Sequence, residues 1–574
     1  MRQIKNSIET INQKINIKSN CSMYILVVMI SLVLYSCLYG FHSLNPQNVN
    51  WILQEYNDFE NGYLAWKAFR NSPWMFPFGF MNTLSYPEYT SVMFSGAIPG
   101  MALFFKLIRF ILPATFQYFG IWTLLCMVLM GLYSSKVLNR LSRDRHVAII
   151  GSVFFILIPV MHMRIFAHTG LDGQWLLIAM FDMCLDMKDI EWKKNIWFRA
   201  VLFGMIAILQ HSYFLPIVAV VLLYGVIHNI TNGNGVIKNV ALLIVYTVAG
   251  FVTVYLLGGF STDISKGTAG GLGQYSMNLN ALFNPRCDPA IWSKFIGPLP
   301  YHHNGQQEGF AYLGLGIIIL LIIDIFSFIM HIKKKTKIIK KYAIDIAIAF
   351  FVLAIALFIS LSPLATVGEK TLYEIKLPDN IKNIWAIFRS SGRFSWILVY
   401  AIMLFAIISF HKMQRTWSVY VLILVLILQI IDLSDIFLVR RDAYTKEYEY
   451  NPYTNTDLSW DEIESLDSIR YVYFVPDNYA FTMRDNFIIT DWALNRKMAV
   501  NAFYFSHQDS EDIISNNSIL ALSEAKEDTL FIFIDKETVL EYGFNNLHYY
   551  KVGEFIIGYV SEMEKLKTNA ICLK

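Results

Sequence analysis

The sequence predicts an α-helical polytopic membrane protein of about 11 transmembrane helices, with interfacial helices in its first outer loop and a small α/β domain at its C-terminal end. Three observations carry this. Of 574 residues, 55% are hydrophobic and only 16% charged, and a mean hydropathy of +0.43 is too high for an ordinary water-soluble chain of this size. Apolar runs long enough to cross a bilayer recur between residues 23 and 439. Beyond Tyr444 the pattern changes to short β-type alternations separated by polar stretches.

Composition also excludes some function classes. The net charge of +3 is spread over many short loops, so it bears on topology, and no RNA- or DNA-binding module signature occurs. The six cysteines show no CxxC spacing and offer no zinc or redox motif.

Taken in order, Arg2, Lys5, Lys14 and Lys18 precede the apolar run 23–41. It reads as an uncleaved first span with residues 1–22 in the cytoplasm. The first outer loop, 42–114, follows. Within it Asn57 can cap a helix whose third residue is Glu60, a capping box, and Phe59, Tyr63 and Trp66 then form one stripe suited to a membrane surface. If 91–112 crossed the membrane, the basic run Arg140-Leu141-Ser142-Arg143-Asp144-Arg145-His146 would land outside, against the positive-inside rule. Its Gly96, Pro99, Gly100, Lys106 and Arg109 point instead to an interfacial or re-entrant helix.

The remaining spans fall at 115–138, 147–160, 175–186, 198–210, 214–230, 240–257, 310–330, 344–360, 394–410 and 417–439. With these, every clearly basic loop lies inside, including Lys333-Lys334-Lys335-Thr336-Lys337. The transmembrane domain thus covers 23–441, and 442–574 forms an extracytoplasmic α/β domain. Strands are expected at 470–475, 529–534 and 554–560, and helices at 510–515 and 537–542. This domain carries no Ser/His/Asp set, phosphate loop or metal spacing.

Polar groups gather at the outer ends of the spans. Asp58 stands at a helix N-terminus, where its charge is favoured, and is a candidate catalytic group. Asp172 is the second, because a carboxylate beside the membrane is costly unless paired or functional, although nearby Arg164, itself a candidate substrate ligand, offers it a structural ion pair. Glu60 is a candidate substrate ligand or only a helix cap. His168 and His211 lie at outer helix ends and are candidate substrate ligands, although a histidine there is more often a satisfied interfacial residue than a ligand. Tyr275 and Asn278 belong to a glycine- and amide-rich loop, 270–280, which is either a plain connection or a binder of hydroxyl groups. Arg389 and Arg393 flank Ser390-Ser391-Gly392, one helical turn apart, and suit a lipid phosphate or pyrophosphate. Tyr301-His302-His303-Asn304 and Glu308 have the residue types of a metal site, but adjacent histidines rarely share one ion, and no metal ligand is assigned.

An acidic motif just after the first span, an interfacial helix pair, a polar cluster two spans later and an outer C-terminal domain resemble the GT-C superfamily of membrane glycosyltransferases. More closely, Asp58 to Trp66, Phe69-Arg70-Asn71-Ser72-Pro73-Trp74, Ile98-Pro99, Phe116-Gln117-Tyr118-Phe119-Gly120, His211-Ser212-Tyr213-Phe214, Tyr275-Ser276-Met277-Asn278-Leu279 and Glu308-Gly309-Phe310-Ala311-Tyr312-Leu313-Gly314 resemble a bacterial multi-pass family catalogued as a domain of unknown function. The resemblance implies a GT-C-like fold and a transferase of hexosyl or pentosyl groups. The donor would be a polyprenyl-phosphate sugar and the acceptor an envelope glycan, lipid or protein, at the outer face of the bacterial plasma membrane. Its partners are then the lipid bilayer, donor and acceptor, with no nucleic acid. Asp58 matches the superfamily's first-loop carboxylate, which orients or deprotonates the acceptor or binds a divalent ion. Two departures leave a cation such as Mg or Mn open as a cofactor: Asn57-Asp58 is not a double acid, and Ser95-Gly96-Ala97-Ile98-Pro99 lacks the acid that relatives often carry there. The alternative class is a non-catalytic transporter or assembly factor for lipid-linked saccharides, which would need polar groups running through the spans.

Overall fold

The structure, a computed structural model, describes residues 2–53, 57–187, 194–261, 271–330, 340–414, 416–446, 468–476, 481–505, 521–544, 546–563 and 571, without the side chains of 2–19 and 194. Among these residues a helix stands at each expected span. α1 (Arg2–Tyr39) leads to α2 (Asp58–Asn71) and α3 (Pro99–Leu107) in the first loop, and then to α4 (Phe119–Ser142), α5 (Arg145–Ile156) and the short α6 (Pro159–His162). After these come α7 (Trp175–Asp186), α8 (Lys194–Gln210), α9 (Phe214–Thr231), α10 (Val236–Leu257), α11 (Leu315–Met330), α12 (Ala343–Leu361), α13 (Asp379–Ala386), α14 (Ser395–Met413), α15 (Ser418–Asp432) and α16 (Ser434–Thr445).

The protein is a multi-pass membrane protein. Among the described residues seven helical segments are long and apolar enough to cross, or eight if α15 and α16, bent by 57°, form one broken span. Of the other three candidates, α7 has 12 residues and at about 1.5 Å per residue falls short of a hydrocarbon core of about 30 Å, whereas the 17 residues of α8 and the 16 of α11 run up to segments outside the described residues. The bend after α15 has a local cause: Asp432 accepts from Tyr312 at 2.9 Å and its carbonyl accepts from Lys294 N at 2.9 Å, so the outer loop is bonded into the helix end.

The segment 91–112 contains only α3, of nine residues, flanked by single 3-10 turns. It does not cross. Its basic groups are bonded inward: Arg109 Nη1 donates to the carbonyls of Arg70 and Ser72 at 2.7 and 2.9 Å, closing the end of α2, and Lys106 Nζ lies 3.8 Å from the Phe69 ring centroid and 4.7 Å from that of Trp74.

Helix α2 corrects one expectation. Its stripe of Phe59, Tyr63 and Trp66 does not lie on a membrane surface, for these side chains are only 1, 3 and 1% exposed. Phe59 packs on Trp51 and Phe119 at centroid distances of 5.1 and 5.3 Å, and Trp66 Nε1 donates to the Phe116 carbonyl at 2.9 Å. The polar side is covered as well, which leaves no face for lipid. Lys67 Nζ reaches Asp491 Oδ1 and Asn495 Oδ1 at 2.6 Å each, and Asn61 Nδ2 donates to the Tyr504 carbonyl at 2.6 Å.

Those partners belong to the C-terminal domain. Its five strands lie in the order His548–Val552, Phe555–Tyr559, Thr529–Phe533, Tyr471–Val475 and Ala499–Val500. The first two pairings are antiparallel and the last two parallel. Helices α17 (Met483–Asn495) and α18 (Lys536–Tyr542) accompany the sheet. The three expected strands are present. The expected helix 510–515 lies outside the described residues. The first loop extends the sheet's edge, since Val500 N donates to the Thr83 carbonyl and Tyr86 N to that of Val500, both at 2.9 Å, while Tyr86 stacks on Tyr471 at 4.2 Å. First loop and C-terminal domain therefore share one end of the molecule. At the other end Asp182 meets Lys136 and Arg199 at 2.8 Å each, and Asp186 meets Arg140 and Arg199 at 2.5 Å each.

Candidate active site

Asp58 opens α2, where the free N–H groups of the first turn favour a negative charge. The cap is Asn57, whose side chain accepts from Phe59 N at 2.9 Å rather than from the third residue, Glu60. Asp58 Oδ2 lies 3.0 Å from His168 Nε2, and the two side chains keep 65% and 36% of their surface open. The bond to His168 holds the Asp58 carboxyl below its ordinary range, against an opposing push from partial enclosure.

Aromatic side chains bring this pair together. Phe59 follows Asp58, Phe166 precedes His168 by two positions, and their rings lie 5.4 Å apart. Trp51 and Tyr444 enclose Phe166 at 4.8 Å each. Phe166 has φ +55°, a left-handed backbone that a bulky residue keeps only when its surroundings hold it. The constrained turn aims His168 at Asp58. The next turn is bonded to α4: Trp122 Nε1 donates to the Thr169 carbonyl at 2.9 Å, and Thr123 Oγ1 donates to Asp172 Oδ2 at 2.8 Å. Asp172 is fully buried and away from the open pair, and burial pushes its carboxyl well above the ordinary range.

Glu308, absent from the candidates read from sequence, organises the second half of the site. Arg164 Nη1 meets its Oε1 at 2.9 Å, and Arg164 Nη2 donates to its backbone carbonyl at 3.0 Å. Arg393 Nε donates to its Oε2 at 2.9 Å, and Arg393 Nη2 lies 2.8 Å from the same oxygen. Burial alone would raise the Glu308 carboxyl; the two guanidiniums outweigh that and hold it well below the ordinary range. Arg393 also lies over the Tyr213 ring at 4.4 Å, and the Tyr213 hydroxyl accepts from Ser390 N at 2.9 Å. Glycines allow this convergence. Gly392 N donates to the Tyr275 carbonyl at 2.9 Å, and a Cβ on Gly392 would stand 2.6 Å from Gly309 Cα. The charges of Glu308 and Arg393 bear on the Asp58 carboxyl, the first raising it and the second lowering it.

The other expected residues divide. His211, at the break between α8 and α9, is held neutral by burial and then by the nearby charge of Arg393. Arg389 lies 5.7 Å from the Tyr275 ring centroid and makes no ion pair among the described residues. Asn278 is committed elsewhere, since its Nδ2 donates to Gln306 Oε1 at 2.9 Å and to the Gly368 carbonyl at 2.9 Å, stitching two loops together. Glu60 is 1% exposed. Gly96 packs on the start of α2, where its Cβ would stand 3.0 Å from the Asp58 carbonyl. The acid missing from Ser95-Gly96-Ala97-Ile98-Pro99 is therefore missing beside Asp58. Among the described residues no three His, Cys, Asp or Glu side chains converge to hold a metal ion.

Fold and site thus define a multi-pass membrane protein with an open carboxylate–histidine pair beside buried arginines, at the end of the helix bundle that carries a small α/β domain. The chain belongs to the family described as domain of unknown function DUF6311, whose model matches residues 28–434. The model of the DUF6311 C-terminal domain matches residues 459–560. No curated protein matches the chain. Similar solved structures include the apo oligosaccharyltransferase of Archaeoglobus fulgidus, at 11% identity and TM-score 0.47 over 96% of this chain and 75% of that one. The archaeal oligosaccharyltransferase AglB from the same organism, in complex with an inhibitory peptide and a dolichol-phosphate, matches at 10% identity and TM-score 0.43 over 96% and 75%. A zinc and sulfate complex of the Archaeoglobus enzyme matches at 12% identity and TM-score 0.42 over 95% and 74%. At these scores the likenesses say nothing of this chain's substrates.

Proposed function

We propose that the protein is a glycosyltransferase that moves a sugar from a polyprenyl-phosphate donor to a hydroxyl-bearing envelope acceptor at the outer face of the bacterial plasma membrane. The observation that carries this reading is the exposed Asp58–His168 pair, 3.0 Å apart, beside the arginines that Glu308 gathers. A carboxylate held ionised and open is suited to take a proton from a hydroxyl, and buried guanidiniums are suited to a phosphate.

In the reaction Arg389 and Arg393 hold the donor phosphate, with Arg164 behind them. Asp58 takes the acceptor proton while the acceptor oxygen bonds to the anomeric carbon. The bond from that carbon to the phosphate oxygen breaks, and its electron pair leaves on the phosphate, where the arginines offset the developing charge. Such base catalysis is worth on the order of 10²- to 10⁴-fold. His168 keeps Asp58 ionised and aimed; Tyr275 lines the phosphate side. Asp172 moves from the catalytic role expected of it to bracing the His168 turn through Thr123. The cations Lys136, Arg140 and Arg199 at the opposite end support an outward-facing site under the positive-inside rule.

Incubating the purified protein with labelled polyprenyl-phosphate sugar and envelope acceptor fractions tests this. Transfer of label with release of polyprenyl phosphate is expected. Donor that stays intact in every fraction contradicts the reading and favours the non-catalytic transporter or assembly factor.

A further inference from the structure

Two buried guanidiniums, left to themselves, would draw in the most highly charged ligand available. Glu308 changes that balance in two ways. It cancels one of the two charges on Arg164 and Arg393, whose side chains are 1% and 7% exposed. It also occupies donors: Arg393 Nε bonds Oε2 and Nη2 lies 2.8 Å from the same oxygen, so the paired edge with which an arginine grips a phosphate faces Glu308, and Arg164 commits Nη1 and Nη2 to Oε1 and the Glu308 carbonyl. The carboxylate is not easily displaced. Its backbone is bonded to Arg164, and neighbouring Gly309 lies against Gly392, whose N–H is bonded in turn to the Tyr275 carbonyl. With Asp58 nearby, the fixed charges of Arg164, Arg393, Glu308 and Asp58 cancel, and Arg389 supplies the cation without an ion pair among the described residues. Over these five described side chains the surplus is a single positive charge, matching the one negative charge of a phosphodiester.

We infer that Glu308 is a specificity-determining residue, which restricts the site to donors linked through one phosphate and disfavours those linked through a diphosphate. The inference rests on the proposed transferase reading. It deepens that reading by naming the charge class of the donor, and it makes Glu308 a positioning residue for both arginines without touching the reacting atoms.

The test is binding of a synthetic polyprenyl monophosphate sugar and a polyprenyl diphosphate sugar of equal chain length to the full-length protein in nanodiscs at constant ionic strength. The wild type binds the monophosphate lipid more tightly. E308Q, which frees one guanidinium charge and its paired edge, shifts the ratio of the two Kd values by about tenfold or more toward the diphosphate, while E308D keeps the wild-type ratio. A wild type that prefers the diphosphate overturns the inference whether or not E308Q folds, and so does an unchanged ratio in folded E308Q. Wild-type protein that binds neither lipid overturns the transferase reading itself, and this inference with it.

Discussion

His168 Nε2 stands 3.0 Å from Asp58 Oδ2, and the two are set against each other by the packing of Phe59 on Phe166. The bond lowers the Asp58 carboxyl, so the carboxylate that acts as base survives to lower pH than it would alone. Replacing His168 with Ala removes this support. The acid limb of the pH–rate profile then moves to higher pH, and the rate near neutrality falls by roughly 10- to 100-fold. Transfer rates from pH 4 to pH 8 in both proteins check this, and an acid limb that does not move counts against it.

Arg164 is 1% exposed and bonded to both the side chain and the carbonyl of Glu308. Arg164→Met leaves Glu308 with Arg393 as its remaining guanidinium partner. Because Arg393 still balances the Glu308 charge, the loss is that of the donor to Glu308 Oε1 and to its carbonyl, which costs about 1–3 kcal/mol. Denaturation of the detergent-solubilised protein measures it, and a change within about 0.5 kcal/mol, as for an ordinary surface substitution, is the contrary result.

Gly392→Ala puts a Cβ 2.6 Å from Gly309 Cα and 2.9 Å from the Tyr275 carbonyl oxygen, both backbone atoms that cannot swing away. Destabilisation of about 1–3 kcal/mol is expected. Gly297→Ala, whose Cβ meets nothing within 4 Å, is the matched control and leaves the melting temperature unchanged.

The C-terminal domain grips α2 through Lys67 and Asp491, 2.6 Å apart with side chains 17% and 7% exposed. Asp491→Ala leaves the Lys67 ammonium with the Asn495 amide as its neutral partner and loosens that grip by about 1–3 kcal/mol. Hydrogen exchange reads this directly: amides of α2 exchange faster in the variant while those of α4 do not.

The spans and the soluble domain were legible because hydropathy and β-type alternation are local signals. The non-crossing segment was legible from Lys106 and Arg109, whose charges and helix-breaking neighbours could not sit in lipid. What sequence could not show was which faces meet. Phe59, Tyr63 and Trp66 make a stripe that suits a membrane as well as a protein core; the packing of Phe59 on Trp51 and Phe119 and of Trp66 on Phe116 decides for the core, and the C-terminal domain, more than four hundred residues on, covers the polar side. Glu308 was passed over for a similar reason. Beside His302 and His303 it resembled a failed metal set, and its partners Arg164 and Arg393 are far away in sequence. The strand His548–Val552 and helix α17 were missed because their polar and apolar residues mix without a clean period.

The central claim, that Asp58 is the base of a sugar transfer, is tested most directly by Asp58→Asn, which keeps the side chain's shape and removes its basicity. With labelled polyprenyl-phosphate sugar and saturating acceptor, the variant is expected to bind donor within about threefold of wild type and to transfer at least about 10²-fold more slowly. Full transfer by a folded Asp58→Asn protein would contradict the account.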